Sequence, residues 1–104
     1  MHQKLQNVIA ALSAAKASTN CTDMATYLES LGFYIRGGKS AGHKLFFHDG
    51  LSAFKVASYD CGHAKNQDVK LPYVVNVLRV LRQHQDEISS YLDGLDKKEQ
   101  GEGR

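Results

Sequence analysis

Ala41-Gly42-His43-Lys44-Leu45-Phe46-Phe47-His48-Asp49-Gly50 is the stretch on which the fold turns. A glycine-led loop opens onto an apolar strand, His43 to His48. Asp49-Gly50 then supplies the strongest short hairpin signal, because a type I′ turn takes positive φ at both central residues. Leu51 to Ser58 is expected as the returning strand, with Phe54 and Val56 on one face. Upstream, Phe33-Tyr34-Ile35-Arg36 alternates with period two and is rich in β-forming types, which predicts a first strand. Gly37-Gly38-Lys39-Ser40-Ala41-Gly42 between them is too glycine-rich for regular structure. Antiparallel strands with one polar side need helices over the apolar side.

The flanks supply those helices. From Gln3 to Lys16, Leu5, Val8, Ile9 and Leu12 recur at i, i+3, i+4 and i+7, and four alanines add helix preference. Asn20 with Asp23 resembles a helix start. A second helix is expected from Cys21 to Ser30, burying Met24, Tyr27 or Leu28, and Leu31, with Gly32 as its C′ residue. Asp60 to Lys70 reads as a polar loop. Pro72 suits the first turn of a helix, and Val74, Val75, Val77, Leu78, Leu81, Ile88 and Leu92 form one long stripe. Gly94 to Arg104 has almost nothing to bury and is expected to lack regular structure. The order α-α-β-β-β-α is an α+β domain.

At 104 residues the chain is long enough for one modest core. No stretch approaches the apolar length of a membrane span, and the segment after Met1 lacks the continuous apolar run of a signal peptide. A soluble cytoplasmic protein is the expectation. Cys21 and Cys61 lie far apart and form no disulfide framework, so two reduced thiols are expected. The net charge is +2, unevenly spread. Residues 32–83 hold eight bases against three acids, a surplus of five; the rest holds five bases against eight acids. That central surplus suits a polyanion partner, and a lysine-decorated surface accounts for it equally well.

His43 is the leading candidate for chemistry. Its ring shares a strand face with Leu45 and Phe47, whereas Lys44, Phe46 and His48 share the other. Both faces carry apolar residues, so parity alone leaves open which is buried. At a strand mouth a neutral imidazole can accept the 2′-OH proton of RNA. Lys39, Lys44 and Lys55 are candidates to stabilise charge at phosphorus. Arg79 and Arg82 are neighbours on one helix face; with Lys65 and Lys70 they can grip successive phosphates, or simply face solvent. Tyr34 and Tyr59 can stack a base or pack in the core. His48, His2 and His84 read as exposed residues. His63 is a candidate second proton-transfer or phosphate group. Cys21, Cys61 and His63 lack the paired short spacings of a structural zinc site. Gly37-Gly38-Lys39-Ser40 lacks P-loop spacing. No metal and no cofactor are expected.

Leu28-Glu29-Ser30-Leu31-Gly32-Phe33, the Gly42-His43 step, Phe47-His48-Asp49-Gly50 and the late amphipathic helix together resemble the HicA family of toxins over roughly residues 22–83. These are small mRNA interferases with a fold like the double-stranded-RNA-binding domain. The resemblance implies that His43 is catalytic, that Gly42 belongs to its motif, that RNA is cut without a metal, and that a HicB antitoxin covers the site. It divides the chain into an added N-terminal helix (1–20), the HicA-like domain (21–93) and a charged flexible tail (94–104). Two features depart from the family. Ala41-Gly42 stands before His43 where the family reads Gly-Ser, and Ser58-Tyr59 stands where the family has a proline. Two other classes compete: a non-catalytic RNA-binding module on the same fold, and a protein-interaction domain whose basic face meets an acidic partner.

Overall fold

A computed structural model describes residues 1–15, 19–62 and 67–102. The stripe begun at Leu5 folds as α1 (Gln3–Ala15), which buries Leu5, Val8 and Leu12; Lys16 lies outside the described residues. Asn20 caps α2 (Cys21–Ser30), its Oδ1 accepting from the Asp23 N–H at 2.8 Å. Met24 and Leu28 are the buried residues of that helix.

The end of α2 shows why a glycine stands at position 32. The Gly32 N–H donates to the Glu29 carbonyl and the Phe33 N–H to the Leu28 carbonyl, the paired bonds of a Schellman motif. Gly32 has φ +94°, and a Cβ there would come within 2.6 Å of both the His48 and Tyr91 rings. The motif turns the chain sharply and delivers Phe33 into the core.

β1 (Tyr34–Gly37), β2 (His43–Phe47) and β3 (Ala57–Asp60) form an antiparallel sheet in that order. Tyr34 pairs with Phe47 and Gly37 with Lys44, while His43 pairs with Asp60 and Phe46 with Ala57. Phe46 is fully buried among Phe33, Phe54 and Tyr59, with ring centroids 5.3–6.0 Å apart across these contacts. The apolar side of the sheet is therefore the side of Phe46. α2 packs against β1, α3 (Leu71–Gln83) against β3, and α1 against α3 and α4 (Gln85–Glu102).

Several expectations are corrected. Asp49-Gly50 does not make a tight hairpin: Gly50 is not among the positive-φ glycines, and β3 begins only at Ala57. Residues 48–56 form a loop tied down by tertiary contacts. Leu51 and Phe54 are both buried at a spacing of three, Val56 is 49% exposed, and Glu87 Oε2 accepts from the Ser52 hydroxyl and the Ala53 N–H. Burial and these bonds outweigh the local turn preference.

The long helix is two helices divided at His84, which closes α3 with φ −108° and ψ 19°. Asp86 and Glu87 then favour a new N-terminus. Val75, placed in the apolar stripe, is 54% exposed on α3. Helix α4 runs to Glu102 through residues expected to be irregular, consistent with the helix preference of Leu95, Lys97 and Lys98. No described helix is long and apolar enough to cross a membrane.

Cys21 and Cys61 are joined by a disulfide, with Cα atoms 5.5 Å apart, rather than standing as two thiols. Separation of 40 along the chain says nothing about separation in space. The Cys21 N–H donates to the Gln67 carbonyl and the Val69 N–H to the Thr19 carbonyl, which set the start of α2 against the segment before α3, while the disulfide ties it to the residue after β3.

Cross-linking a 40-residue separation restricts the unfolded chain, and the Cys21→Ser/Cys61→Ser double variant is expected to lose about 2–4 kcal/mol of stability in urea unfolding without reductant. Gly32→Ala is expected to cost about 1–2 kcal/mol or more, because it adds the left-handed backbone penalty to a clash with two rings. The same unfolding assay reads it.

Candidate functional site

With Phe46 and Tyr59 in the core, alternation along the strands puts Tyr34, Arg36, His43, Leu45, Phe47, Ser58 and Asp60 on the sheet's other face. All seven are half-buried or exposed, and none is buried. Tyr34 and Phe47 stack across β1 and β2 at 5.4 Å, and the Arg36 guanidinium lies 4.9 Å from the Tyr34 ring centroid. The Tyr34 hydroxyl donates to Asp49 Oδ1 at 3.1 Å, a bond that, with some burial, lifts its pKa above 10.0. The result is an aromatic shelf with one guanidinium.

His43 is half-buried on the same face. Its N–H donates to the Ser40 carbonyl at 3.1 Å and its carbonyl accepts from the Gly38 N–H at 2.7 Å, closing the turn between β1 and β2. The ring lies over Gly38, where a Cβ would meet Nδ1. Directly before it, the Gly42 carbonyl accepts from the Cys61 N–H at 2.7 Å. This bond makes His43 and Asp60 a non-hydrogen-bonded cross-strand pair, the kind in which facing side chains approach most closely. Gly42 is buried against Gly62, and a Cβ on Gly42 would run into the Gly62 carbonyl oxygen. The Gly62 N–H in turn donates to Asp60 Oδ1 at 2.7 Å.

Beside Asp60 opens a cavity of about 350 Å³ lined by Asp60, Gly62, Gln67, Asp68, Lys70 and Tyr73. It brings Lys70 to the flank that carries His43. The other basic candidates do not gather there. Lys39 is exposed in the turn before His43, and Lys44 is half-buried with its side chain on the Phe46 side of β2, away from the imidazole. Lys55 and Arg79 line a separate groove of about 410 Å³ between residues 53–58 and α3, where Arg79 donates to Asn76 Oδ1 at 2.6 Å. Arg82 instead reaches Ser13 Oγ at 3.4 Å. Neighbours three apart on a helix thus point to different surroundings. Lys65 and His63 lie outside the described residues.

Three histidines expected at the surface are engaged. His48 is 5% exposed. Its Nδ1 accepts from the Gly50 N–H at 3.0 Å, so Nε2 carries the proton and donates to the Leu31 carbonyl at 2.9 Å. The ring packs edge-on against Phe33 and Tyr91. His84 lies 3.4 Å from Glu87 Oε1 and edge-on to Phe54.

His2, Asp93 and Asp96 bring ligand-type atoms within 4.8 Å of one another. His2 Nδ1 accepts from the Lys4 N–H at 3.0 Å, however, so Nε2 donates to Asp96 Oδ2 at 2.7 Å and has no lone pair for an ion. Tyr59, one of two candidates for base stacking, is in the core; burial, with Glu29 nearby, pushes its pKa up to about 12. Its hydroxyl finds no partner among the described residues.

Sequence reasoning missed Asp60, Gln67 and Tyr73. Asp60 faces His43 only through strand register, and the other two meet it only in the folded chain. Gly38 did carry a usable signal, since the His43 ring lies where its Cβ would be. No family model matches the chain, and neither does any curated protein or solved structure.

Burial lowers the His48 pKa from 6.5, against the opposing pull of the Leu31 carbonyl and Asp49. Below pH 6.5 the unfolded chain therefore binds a proton that the folded chain refuses. Stability is expected to be fully present above pH 6.5 and to fall with decreasing pH, by at most about 1.4 kcal/mol per pH unit from this group. Urea unfolding from pH 8 to 5 reads the slope, and His48→Gln should flatten it. Tyr59→Phe removes an unpartnered buried hydroxyl and is expected to leave stability unchanged or raise it by about 1 kcal/mol.

Proposed function

We propose that this chain is an RNA-cleaving toxin of the HicA type, an mRNA interferase that a HicB-like antitoxin holds inactive. In this reading α2 through α3 form the unit like the double-stranded-RNA-binding domain, and α1 and the end of α4 are additions to it. The observation that carries the reading is the position of His43. Its imidazole is partly open to solvent on the uncovered sheet face, with an aromatic shelf on one side and a polar cavity on the other.

The chemistry follows from one imidazole. Neutral His43 takes the proton of a ribose 2′-hydroxyl as general base. The O2′–P bond forms, the P–O5′ bond breaks, and the imidazolium returns the proton to O5′. A 2′,3′-cyclic phosphate and a 5′-hydroxyl result, without a metal. Lys39 and Lys70 are the exposed ammonium groups on this flank, suited to the charge that builds at phosphorus. Lys55, Arg79 and Arg82 lie farther along the molecule, suited to phosphates outside the scissile step.

A binding-only reading draws on the Tyr34–Phe47 stack with Arg36, a surface of the kind on which unpaired bases stack. RNA of this class is met in the cytoplasm, where Cys21 and Cys61 would be held reduced. The disulfide weighs against that location, and a thiol count on protein taken directly from cells decides it.

His43→Ala is expected to abolish growth arrest and RNA breakdown on controlled expression, a loss of about 10²-fold or more in cleavage rate, while RNA binding persists. Cleavage at the wild-type rate by this variant refutes the catalytic role. Growth arrest that survives without cleavage assigns the toxicity to binding alone.

A further inference from the structure

We infer that the cavity between Asp60 and Tyr73 is a nucleobase pocket selective for guanine, seating a base that neighbours the phosphate at His43. The inference rests on the RNA reading only for the origin of the base. The pocket is argued from its own lining.

At about 350 Å³ the cavity is large enough for a base with part of its ribose, and its wall is mostly polar side chains. Tyr73 is 38% exposed at its edge, in the first turn of α3, and offers an aromatic face that nothing else in the structure covers by ring stacking among the described residues. An aromatic face of this kind takes any base with similar strength. Discrimination must come from the polar lining.

Asp60 and Asp68 both line the same space. An ionised carboxylate only accepts hydrogen bonds. Guanine alone among the four bases presents two adjacent donors, N1–H and N2–H, along one edge. Adenine and cytosine present one amino group beside a ring nitrogen whose lone pair repels a carboxylate. Uracil presents a single N–H between two carbonyls. One oxygen of Asp60 is held by the Gly62 N–H, which fixes the carboxylate plane before a ligand arrives.

A bound cation fits less well. The side chain of Lys70 lines this cavity, and its positive charge opposes a second cation there. That ammonium instead suits the nucleotide's phosphate. Asp60 sits opposite His43 in register. A base held by Asp60 therefore places its own backbone within about one nucleotide of the imidazole, and the cleaved RNA acquires a preference for guanosine next to the cut.

The test titrates the full-length protein with the 5′-monophosphates of guanosine, adenosine, cytidine and uridine, read by calorimetry, and separately measures RNA binding and cleavage. Guanosine monophosphate is expected to bind on the order of tenfold more tightly than the other three. Asp60→Asn should erase that preference, and Tyr73→Ala, a surface change, should weaken all four alike. Equal affinity for the four nucleotides, or a preference that survives Asp60→Asn, overturns the pocket even if RNA is bound and cut. A guanosine preference abolished by Asp60→Asn in a protein that neither binds nor cuts RNA keeps the pocket and overturns the RNA reading instead.

Discussion

Phe46 has no exposed surface, and the rings of Phe33, Phe54 and Tyr59 close around it. Because side chains alternate along a strand, burying this one ring dictates the direction of every other side chain in β2. His43, Leu45 and Phe47 are turned outward, and cross-strand register then sets Tyr34, Arg36 and Asp60 beside them. A slip of one residue would bury His43 and expose Phe46. The candidate site is thus a consequence of aromatic packing on the opposite side of the sheet.

A second constraint is the approach of Gly42 to Gly62. Two segments of the backbone meet there in close contact, fastened by the Cys61–Gly42 hydrogen bond and the neighbouring disulfide to Cys21. The turn carrying His43, the end of β3 and the start of α2 are held as one piece, and Asp60 belongs to the same piece through its bond to Gly62. Rigid support of this kind is what a reacting or discriminating group needs, since small displacements are costly to both. It also links the site to a bond that forms or breaks with the redox state of its surroundings.

The interior contains polar groups treated in two different ways. His48 is satisfied on both ring nitrogens and serves as a clasp between the end of α2 and the turn after β2. The hydroxyls of Thr19 and Tyr59 have no partner among the described residues. The first arrangement stabilises the native chain while neutral, and the second costs free energy. The outward face, by contrast, carries its polar groups where water reaches them.

The amphipathic stripe of α1, the Asn20 cap, the glycine stop at position 32, Pro72 at the start of α3 and the β character of residues 33–36 and 43–47 could all be read from residues close together in the chain, because each depends on a local bond or a local periodicity. So could His43 as a group placed at a strand mouth. The position of β3, the break at His84, the Cys21–Cys61 bond and the burial of His48 could not. Each depends on partners distant along the chain, such as Glu87 for the 48–56 loop, 35 residues from Ser52, and Leu31 for His48, 17 residues away. Local chemistry was sufficient for α1, α2, β1, β2 and the start of α3, and for placing an imidazole at a strand mouth. Only the packed chain decided which face of β2 is open, which base stands opposite which acid, and which lysines reach the same place, because these follow from register and from contacts between distant segments that no short window of sequence contains.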